Sequence, residues 1–281
     1  MAAGQHRRHA GTMTCDVTLI GFGEAGSTFA LAGQWGDRAR AFDIDSARRA
    51  VMSTAGIAPS VSAAEALAGA PIILSLVTAD QALSAAEAYA PLLHPGALWC
   101  DLNSVAPHTK RAAAKVVEAA GGRYVDVAVL APVDPGRLAV PLLIAGAPAQ
   151  QALVGLTALG FTRARIVGDE IGRASAIKMI RSVMVKGIEA LTAEMMAAAT
   201  AAGVVDDVLD SLDASEKTIA WKERAAYNLE RMHTHGLRRA AEMEESAKTL
   251  VALDVAPIMT EGTIVRQREA GRAVKQQEQA S

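Results

Sequence analysis

The stretch Asp16-Val-Thr-Leu-Ile-Gly-Phe-Gly-Glu-Ala-Gly26 decides the fold of this chain. A short apolar run is followed by three glycines spaced as G-x-G-x-x-G, and helix-forming residues come next. This pattern between a strand and a helix is typical of the phosphate-binding turn of dinucleotide-binding folds. Gly21 permits the tight turn, Gly23 lets the backbone approach a pyrophosphate, and Gly26 lets the helix pack on the strand. The alternative is a glycine turn that binds nothing.

An acidic residue supports the dinucleotide interpretation. Asp43 ends the second predicted strand, 20 positions after Gly23. A Rossmann fold places an acid there to accept hydrogen bonds from the adenosine ribose, and a carboxylate repels a 2′-phosphate. The sequence therefore favours NAD, whereas Arg48 and Arg49 lie near enough to keep NADP open. The alternative for Asp43 is a solvated strand end.

The two halves of the chain carry different patterns. Short apolar runs alternate with helical stretches up to Gly168, which predicts an α/β, Rossmann-type doubly wound and mostly parallel sheet, followed by an all-α C-terminal domain. The predicted strands are 17–20, 39–42, a short strand beginning at Val61, 72–76, 98–101, 124–129, 142–144 and 163–167. The later predicted helices are 171–202, 205–212, 216–232, 237–253 and 257–269. We expect a disordered leader (1–13), a dinucleotide-binding domain (14–168) and a helical domain for substrate binding and dimerisation (169–281).

Composition narrows the class of protein. The 281 residues carry 28 basic and 30 acidic side chains, so a net charge of −2 predicts no general attraction to nucleic acid or to an acidic membrane. Aromatic residues make up 4%, which argues against a base-stacking platform. Two cysteines cannot form a disulfide framework and suit a reducing compartment. The uncharged stretch 138–162 contains Pro141 and Pro148, so we predict a strand, a turn and a helix start instead of a membrane span. The expectation is a cytoplasmic protein that acts on a small molecule.

Several motifs occur in the same order as in a known family. They are GFGEAG (21–26), SLVT (75–78), DLNS (101–104) with Pro107, DVAV (126–129) and the lysine helix after Gly172. Over roughly residues 15–200 the chain resembles the β-hydroxyacid dehydrogenases, which include 3-hydroxyisobutyrate dehydrogenase, the cofactor domain of 6-phosphogluconate dehydrogenase and the imine reductases. The helical remainder, with its run at 235–245, resembles the uncharacterised C-terminal domain of 6-phosphogluconate-dehydrogenase-like proteins.

The resemblance implies a reaction and a set of site residues. It implies NAD(P)-dependent oxidation of a β-hydroxy acid or the reverse reduction, with Lys178 as the catalytic lysine. Ser104 matches the small polar residue at the nicotinamide. The residues expected to bind the cofactor are Gly21, Phe22, Gly23, Glu24, Ala25, Gly26, Asp43, Val77, Thr78 and Ser104.

The chain departs from the family at its substrate residues. Ser182 stands where the family has asparagine four residues after the lysine. The serine and glycines of the usual substrate loop are replaced by Leu130, Ala131 and Pro132. The residues that normally hold a small carboxylate are missing, which puts the family's usual substrate in question.

The lysine helix also has a physical interpretation. Lys178, Arg181 and Ser182 are spaced i, i+3 and i+4, so they share one helix face at the predicted domain junction. A lysine there can exchange a proton with a substrate oxygen, an arginine can hold a carboxylate or phosphate, and a serine can donate a hydrogen bond. The alternative is a cationic stripe that faces solvent. The expected substrate-binding residues are Ser104, Arg181, Ser182, Leu130, His235 and Arg239.

The remaining candidates have simpler explanations. His233 and His235 flank a predicted helix end near Gly236, and surface or capping roles are the default for them. The functional alternative is that His235 or Arg239 reaches the cleft. Cys100 is expected to be a small core residue, and we predict no metal site because no cluster has metal-ligand spacing.

The sequence leaves three functions open. The leading one is an NAD(P)-dependent dehydrogenase or reductase that acts on a hydroxy acid or carbonyl compound. The second is an imine reductase, and the third is a dinucleotide-binding protein without catalysis. The small residues of the stretch 193–202, with Met195 and Met196, further predict a homodimer built by the helical domain.

Overall fold

The computed structural model describes residues 15–215 and 218–280, and it forms two compact units that divide between Arg181 and Ser182. The predicted leader lies outside the described residues. None of the helices in these ranges is both long and apolar enough to cross a membrane.

The first unit is built on one eight-stranded sheet in the order β3-β2-β1-β4-β5-β6-β7-β8. All neighbouring strands are parallel except β6 and β7, so the predicted doubly wound, mostly parallel sheet is confirmed. The strands are β1 (Val17–Ile20), β2 (Ala39–Phe42), β3 (Ala58–Pro59), β4 (Ile72–Ser75), β5 (Leu98–Asp101), β6 (Arg123–Val129), β7 (Leu142–Ala145) and β8 (Ala164–Gly168). The helices are α1 (Glu24–Gly33), α2 (Arg48–Thr54), α3 (Ala63–Leu67), α4 (Ala82–Tyr89), α5 (Pro107–Ala119), α6 (Ala149–Ala158) and the start of α7 (Arg173–Ala202).

The strand order reverses beside β1. This strand pairs with β2 on one side and with β4 on the other, so the two halves of the sheet diverge from it. In open α/β sheets the loops at the carboxyl ends of the strands separate at such a point and leave a crevice for ligands. The glycine turn follows β1 and therefore lies at this crevice.

Both faces of the sheet are covered. Every residue of β1, β5 and β7 is buried, as parallel strands between two helical layers require. Large aromatic residues fill part of one layer, where the rings of Phe29 and Phe161 meet edge to face at 5.1 Å. The Trp35 indole N–H donates to the carbonyl oxygen of Leu159 at 2.9 Å, which satisfies its polar group inside the core.

The prediction that a strand begins at Val61 is wrong. The third strand is Ala58–Pro59, and Val61 is 75% exposed. The backbone N–H of Val61 donates to Glu65 Oε2, while Ser62 Oγ accepts from the backbone N–H of Glu65. Ser62 therefore caps the helix, and Glu65 bonds to the residue before the cap instead of to the cap residue as in a standard capping box, so the segment starts α3 instead of adding to the sheet.

The second unit is helical throughout its described part. It contains the rest of α7, α8 (Val205–Ser215), α9 (Trp221–Ala252) and α10 (Ile258–Ala280). The helix end predicted near Gly236 is wrong, because α9 continues through it. A Cβ on Gly236 would lie 2.3 Å from the carbonyl oxygen of Gln267, and one on Gly271 would lie 2.7 Å from the backbone nitrogen of Leu237. The two glycines let α9 and α10 pack at close range.

The start of α10 is capped by a side chain from α7. The carboxylate of Glu194 accepts from the backbone N–H groups of Met259 at 2.7 Å and Thr260 at 3.0 Å, and from the Thr260 hydroxyl at 2.6 Å. Desolvation opposes ionisation, but these hydrogen bonds together lower the pKa of Glu194. An ionised carboxylate therefore stabilises this helix start.

Candidate active site

The glycine turn has the geometry that a phosphate-binding turn needs. Gly21 has a φ of +90°, and a Cβ there would lie 2.6 Å from the carbonyl oxygen of Leu76. A Cβ on Gly26 would lie 2.7 Å from the carbonyl oxygen of Gly21, whereas one on Gly23 would meet no atom within 4 Å. Space therefore remains beside Gly23, and within the described chain no side chain caps the start of α1. Its first N–H groups can receive an anion.

Asp43 connects the end of β2 to the glycine turn. Its Oδ2 accepts from the backbone N–H of Phe22 at 2.7 Å, and its Oδ1 accepts from that of Asp45 at 2.9 Å. Each carboxylate oxygen has a further lone pair, so the group can still accept from a ribose hydroxyl. The side chain of Phe22 is fully buried, so this predicted cofactor residue presents only its backbone at the turn, where its N–H is bonded to Asp43.

Two cavities lie at the carboxyl edge of the sheet, and Leu76 and Val77 line both of them. The first has a volume of about 440 Å³, and its lining includes Gly21, Gly23, Asp43, Arg48 and Thr78. Tyr89 also lines this cavity. Burial, and to a smaller extent the negative charge of Asp43, raises the pKa of the Tyr89 hydroxyl. The phenol is therefore a hydrogen-bond donor at neutral pH. Arg48 and Asp45 approach to 3.9 Å and are both about half exposed, so this pair holds the arginine weakly.

The second cavity, of about 430 Å³, contains the predicted catalytic lysine. Lys178 Nζ donates a hydrogen bond to Ser104 Oγ, and both residues line the cavity. Glu24 and Ala25 from α1 lie on one wall, and an apolar wall is formed by Val129, Ala131, Pro132 and Val133. The structure thus brings together the lysine, the serine and the altered substrate loop at one end of a groove that begins at the glycine turn.

The other predicted substrate residues are divided between the two units. Arg181 Nη1 donates to the carbonyl oxygen of Leu130 at 3.3 Å, so the arginine and the loop backbone are in contact. Ser182 follows on α7 and falls in the second unit. His235 is exposed and Arg239 is half-buried in the middle of α9, where no helix end exists. The approach of these two residues to the substrate stays a prediction.

Sequence reasoning missed a buried charged cluster behind the site. Lys110 Nζ lies 3.0 Å from Asp101 Oδ1 and 3.5 Å from Asp126 Oδ1, and all three side chains are buried. The Tyr124 hydroxyl donates to Asp101 Oδ2 at 2.6 Å, and burial together with this carboxylate raises the pKa of Tyr124. The signal in the sequence is helical spacing: Lys110 precedes the buried residues Ala113, Ala114 and Val117 by three, four and seven positions.

The structure also places the remaining reactive side chains. Cys100 is fully buried. Desolvation, and to a smaller extent the negative charge of Asp101, raises the pKa of its thiol to about 12. A thiol of this kind is an inert core group. Among the residues that the structure describes, no group of three histidine, cysteine, aspartate or glutamate side chains is arranged to hold a metal ion.

Comparison with protein families identifies the class defined by this fold and groove. Residues 16–153 match the NAD-binding domain of 6-phosphogluconate dehydrogenase, so the first unit contains an NAD-binding domain. Residues 199–270 match a domain of unknown function, DUF1932. The chain therefore combines an NAD-binding domain of the 6-phosphogluconate dehydrogenase type with a C-terminal DUF1932 domain.

Several solved structures share this fold over most of the chain. A conserved hypothetical protein from Sinorhizobium meliloti 1021 is 37% identical, with a TM-score of 0.60 over 92% of this chain and 88% of the other. A conserved protein of unknown function, described as structurally similar to 3-hydroxyacid dehydrogenases, is 28% identical, with a TM-score of 0.60 over 92% and 97%. A variant imine reductase from Myxococcus stipitatus, in complex with NAD⁺, shares the fold with a TM-score of 0.73 at 20% identity over 93% and 95%.

Proposed function

We propose that this protein is an NAD(P)-dependent oxidoreductase in which Lys178 acts as the general acid or base on a carbonyl or hydroxyl substrate. The observation that carries the proposal is the hydrogen bond between Lys178 and Ser104 on the wall of a cavity that adjoins the glycine turn. The family, the glycine geometry and the groove all support a bound dinucleotide at this edge of the sheet.

The residues of the first cavity fit a dinucleotide. Gly21 permits the tight turn, Gly23 leaves room for phosphates at the start of α1, and Asp43 offers acceptors for the adenosine ribose. A negative carboxylate disfavours a 2′-phosphate, so we favour NAD over NADP. Arg48 lines the same cavity and is the residue through which NADP would be accommodated.

The chemistry is divided between the cofactor and the chain. When bound, the nicotinamide donates or accepts the hydride. Lys178 gives a proton to the substrate oxygen during reduction and removes one during oxidation. Ser104 holds the amine of Lys178 in place through its hydroxyl oxygen, so the proton donor is oriented before the substrate arrives.

The wall of the second cavity limits the substrate. Ala131, Pro132 and Val133 offer apolar surface where the family has a carboxylate-binding loop. We therefore propose a carbonyl compound with an apolar substituent at this wall. Arg181, beside Leu130, is the cation available for a carboxylate elsewhere on such a substrate.

An imine is the second candidate substrate class. The structural likeness to imine reductases and the altered loop favour it. The test is an NADH and NADPH oxidation screen against ketones, keto acids, semialdehydes and cyclic imines, with Lys178→Ala run in parallel. Turnover with carbonyl compounds that Lys178→Ala abolishes supports the proposed function, and turnover restricted to imines favours the second candidate. Tight NADH binding without turnover in either class would indicate a non-catalytic binding protein.

We also propose that the protein is a homodimer through its helical unit. Within this unit α7 exposes Val183 at 76%, Met184 at 50%, Ile188 at 45% and Leu191 at 44%. A contiguous apolar stripe of this kind is typical of an interaction surface. Light scattering should give twice the chain mass of 29.2 kDa, and a monomer would contradict the proposal.

The two free, buried thiols support the expectation of a reducing compartment such as the cytoplasm.

A further inference from the structure

The cluster behind the site is costly for the fold to maintain. Lys110, Asp101 and Asp126 have side-chain exposures of 0%, 1% and 0%, and together they carry one net negative charge. Buried ion pairs seldom stabilise a protein more than apolar residues of similar size would. Stability alone therefore does not account for a lysine at this position of α5.

One branch of the cluster leads to the start of α7. Asp126 Oδ2 accepts from the backbone N–H groups of Gly172 at 3.1 Å and Ser175 at 3.0 Å. Lys178 lies three residues beyond Ser175, on the next turn of this helix. The other oxygen, Asp126 Oδ1, is buried without a hydrogen bond and lies 3.5 Å from the ammonium of Lys110. Lys110 therefore balances the charge of the carboxylate that anchors the lysine helix.

The second branch leads to the loop that carries Ser104. Lys110 Nζ donates to the carbonyl oxygen of Asp101 at 2.5 Å. Asp101 Oδ1 accepts from the backbone N–H of Asn103 at 2.9 Å, and the Asn103 amide donates to Ser75 Oγ at 3.0 Å. The next residue is Ser104. Through its contacts with Asp101, the same lysine therefore also holds the loop after β5 in place.

We propose that Lys110 is a positioning residue that sets the Lys178–Ser104 pair, an inference that rests on the proposed function of this pair. The two partners come from different elements, α7 and the loop after β5. Lys110 contacts both Asp126, which holds the start of α7, and Asp101, which holds the loop after β5. Removing its charge leaves Asp101 and Asp126 facing each other without a cation, so the anchors move apart and the pair loosens.

The test uses Lys110→Met, which keeps the length of the side chain and removes the charge. With a substrate from the screen, we expect kcat to fall about 100-fold, as for a displacement of roughly 1 Å, while the dissociation constant of NADH is unchanged. Lys115→Met is the matched control, because Lys115 is exposed on the same helix. Lys110→Met with wild-type kcat would overturn the proposal.

A second readout does not depend on turnover. Competitive acylation with a small amine-reactive ester, followed by mass spectrometry, measures the reactivity of Lys178 relative to the exposed Lys115. We expect this ratio to rise in Lys110→Met, because Lys178 is released from Ser104. If the ratio changes while Lys178→Ala keeps full turnover, the proposed function fails and the positioning role stands. An unchanged ratio overturns the positioning role.

Two further variants keep the test valid if Lys110→Met does not fold. Lys110→Met/Asp126→Asn removes opposite charges together and keeps a carbonyl oxygen for the N–H groups of Gly172 and Ser175. Tyr124→Phe removes one donor to Asp101 without changing any charge. The proposal expects both variants to fold and the Lys178 to Lys115 labelling ratio to rise in each of them. Wild-type ratios in both variants would contradict it.

Discussion

Replacing Gly23 by alanine separates cofactor binding from folding. A Cβ built on Gly23 meets no atom within 4 Å, and its φ is −73°, so alanine fits the free protein. In our account the same methyl group enters the space that the pyrophosphate occupies. Overpacking of about 1–3 kcal/mol in the complex corresponds to roughly 5- to 150-fold weaker binding of NADH.

Gly26→Ala is the matched comparison. A Cβ there would lie 2.7 Å from the carbonyl oxygen of Gly21, inside the free protein. The expected cost is about 1–3 kcal/mol of unfolding free energy, and each kcal/mol lowers the Tm by roughly 2–4 °C. The two glycines of one turn should therefore respond differently, one in affinity and the other in stability.

Titration calorimetry with NADH and differential scanning calorimetry measure the two effects. Gly23→Ala should keep the wild-type Tm and lose affinity, whereas Gly26→Ala should lose Tm. Gly23→Ala that binds NADH as tightly as the wild type would refute the assignment of the phosphate site to this turn.

Three further predictions concern the helical unit and cofactor choice. Gly236→Ala should lower the thermal stability of the helical unit by about 1–3 kcal/mol, because its Cβ would lie 2.3 Å from the carbonyl oxygen of Gln267. Gly262→Ala, which meets no atom within 4 Å, should not, and equal losses in both would contradict the packing argument. The lowered pKa of Glu194 means that its stabilisation is present above the ordinary carboxyl value of 4.5 and is lost as pH falls below it. Melting curves should therefore separate Glu194→Gln from the wild type at neutral pH and converge in acid. Asp43→Asn should shift the ratio of NADPH to NADH dissociation constants towards NADPH, and an unchanged ratio would show that this carboxylate does not select the cofactor.

Local patterns predicted the parts of the fold that depend on local chemistry. The run 17–20 and the glycines after it identified β1, the turn and α1, because a strand, a φ of +90° and close helix packing each require particular residues nearby. The change to a helical region beyond Gly168 was equally visible. The compact unit nevertheless extends to Arg181, since Asp126 on β6 anchors the start of α7.

The features that sequence reasoning missed depend on distant partners. A glycine within a helical pattern can end the helix or permit close packing, and Gly236 permits packing only because Gly271 lies opposite it. Val61 has strand propensity, but the cap formed by Ser62 and Glu65 starts a helix there. A lysine on a helix usually faces solvent, and the burial of Lys110 depends on carboxylates at the ends of two other elements.

The central claim is that Lys178 transfers the proton while other residues bind the cofactor. The most direct measurement is kcat and the NADH dissociation constant of Lys178→Ala, beside Lys115→Ala as an exposed control. General acid–base catalysis predicts a fall in kcat of about 100- to 10,000-fold with NADH affinity unchanged. Near-normal turnover of Lys178→Ala would contradict the account.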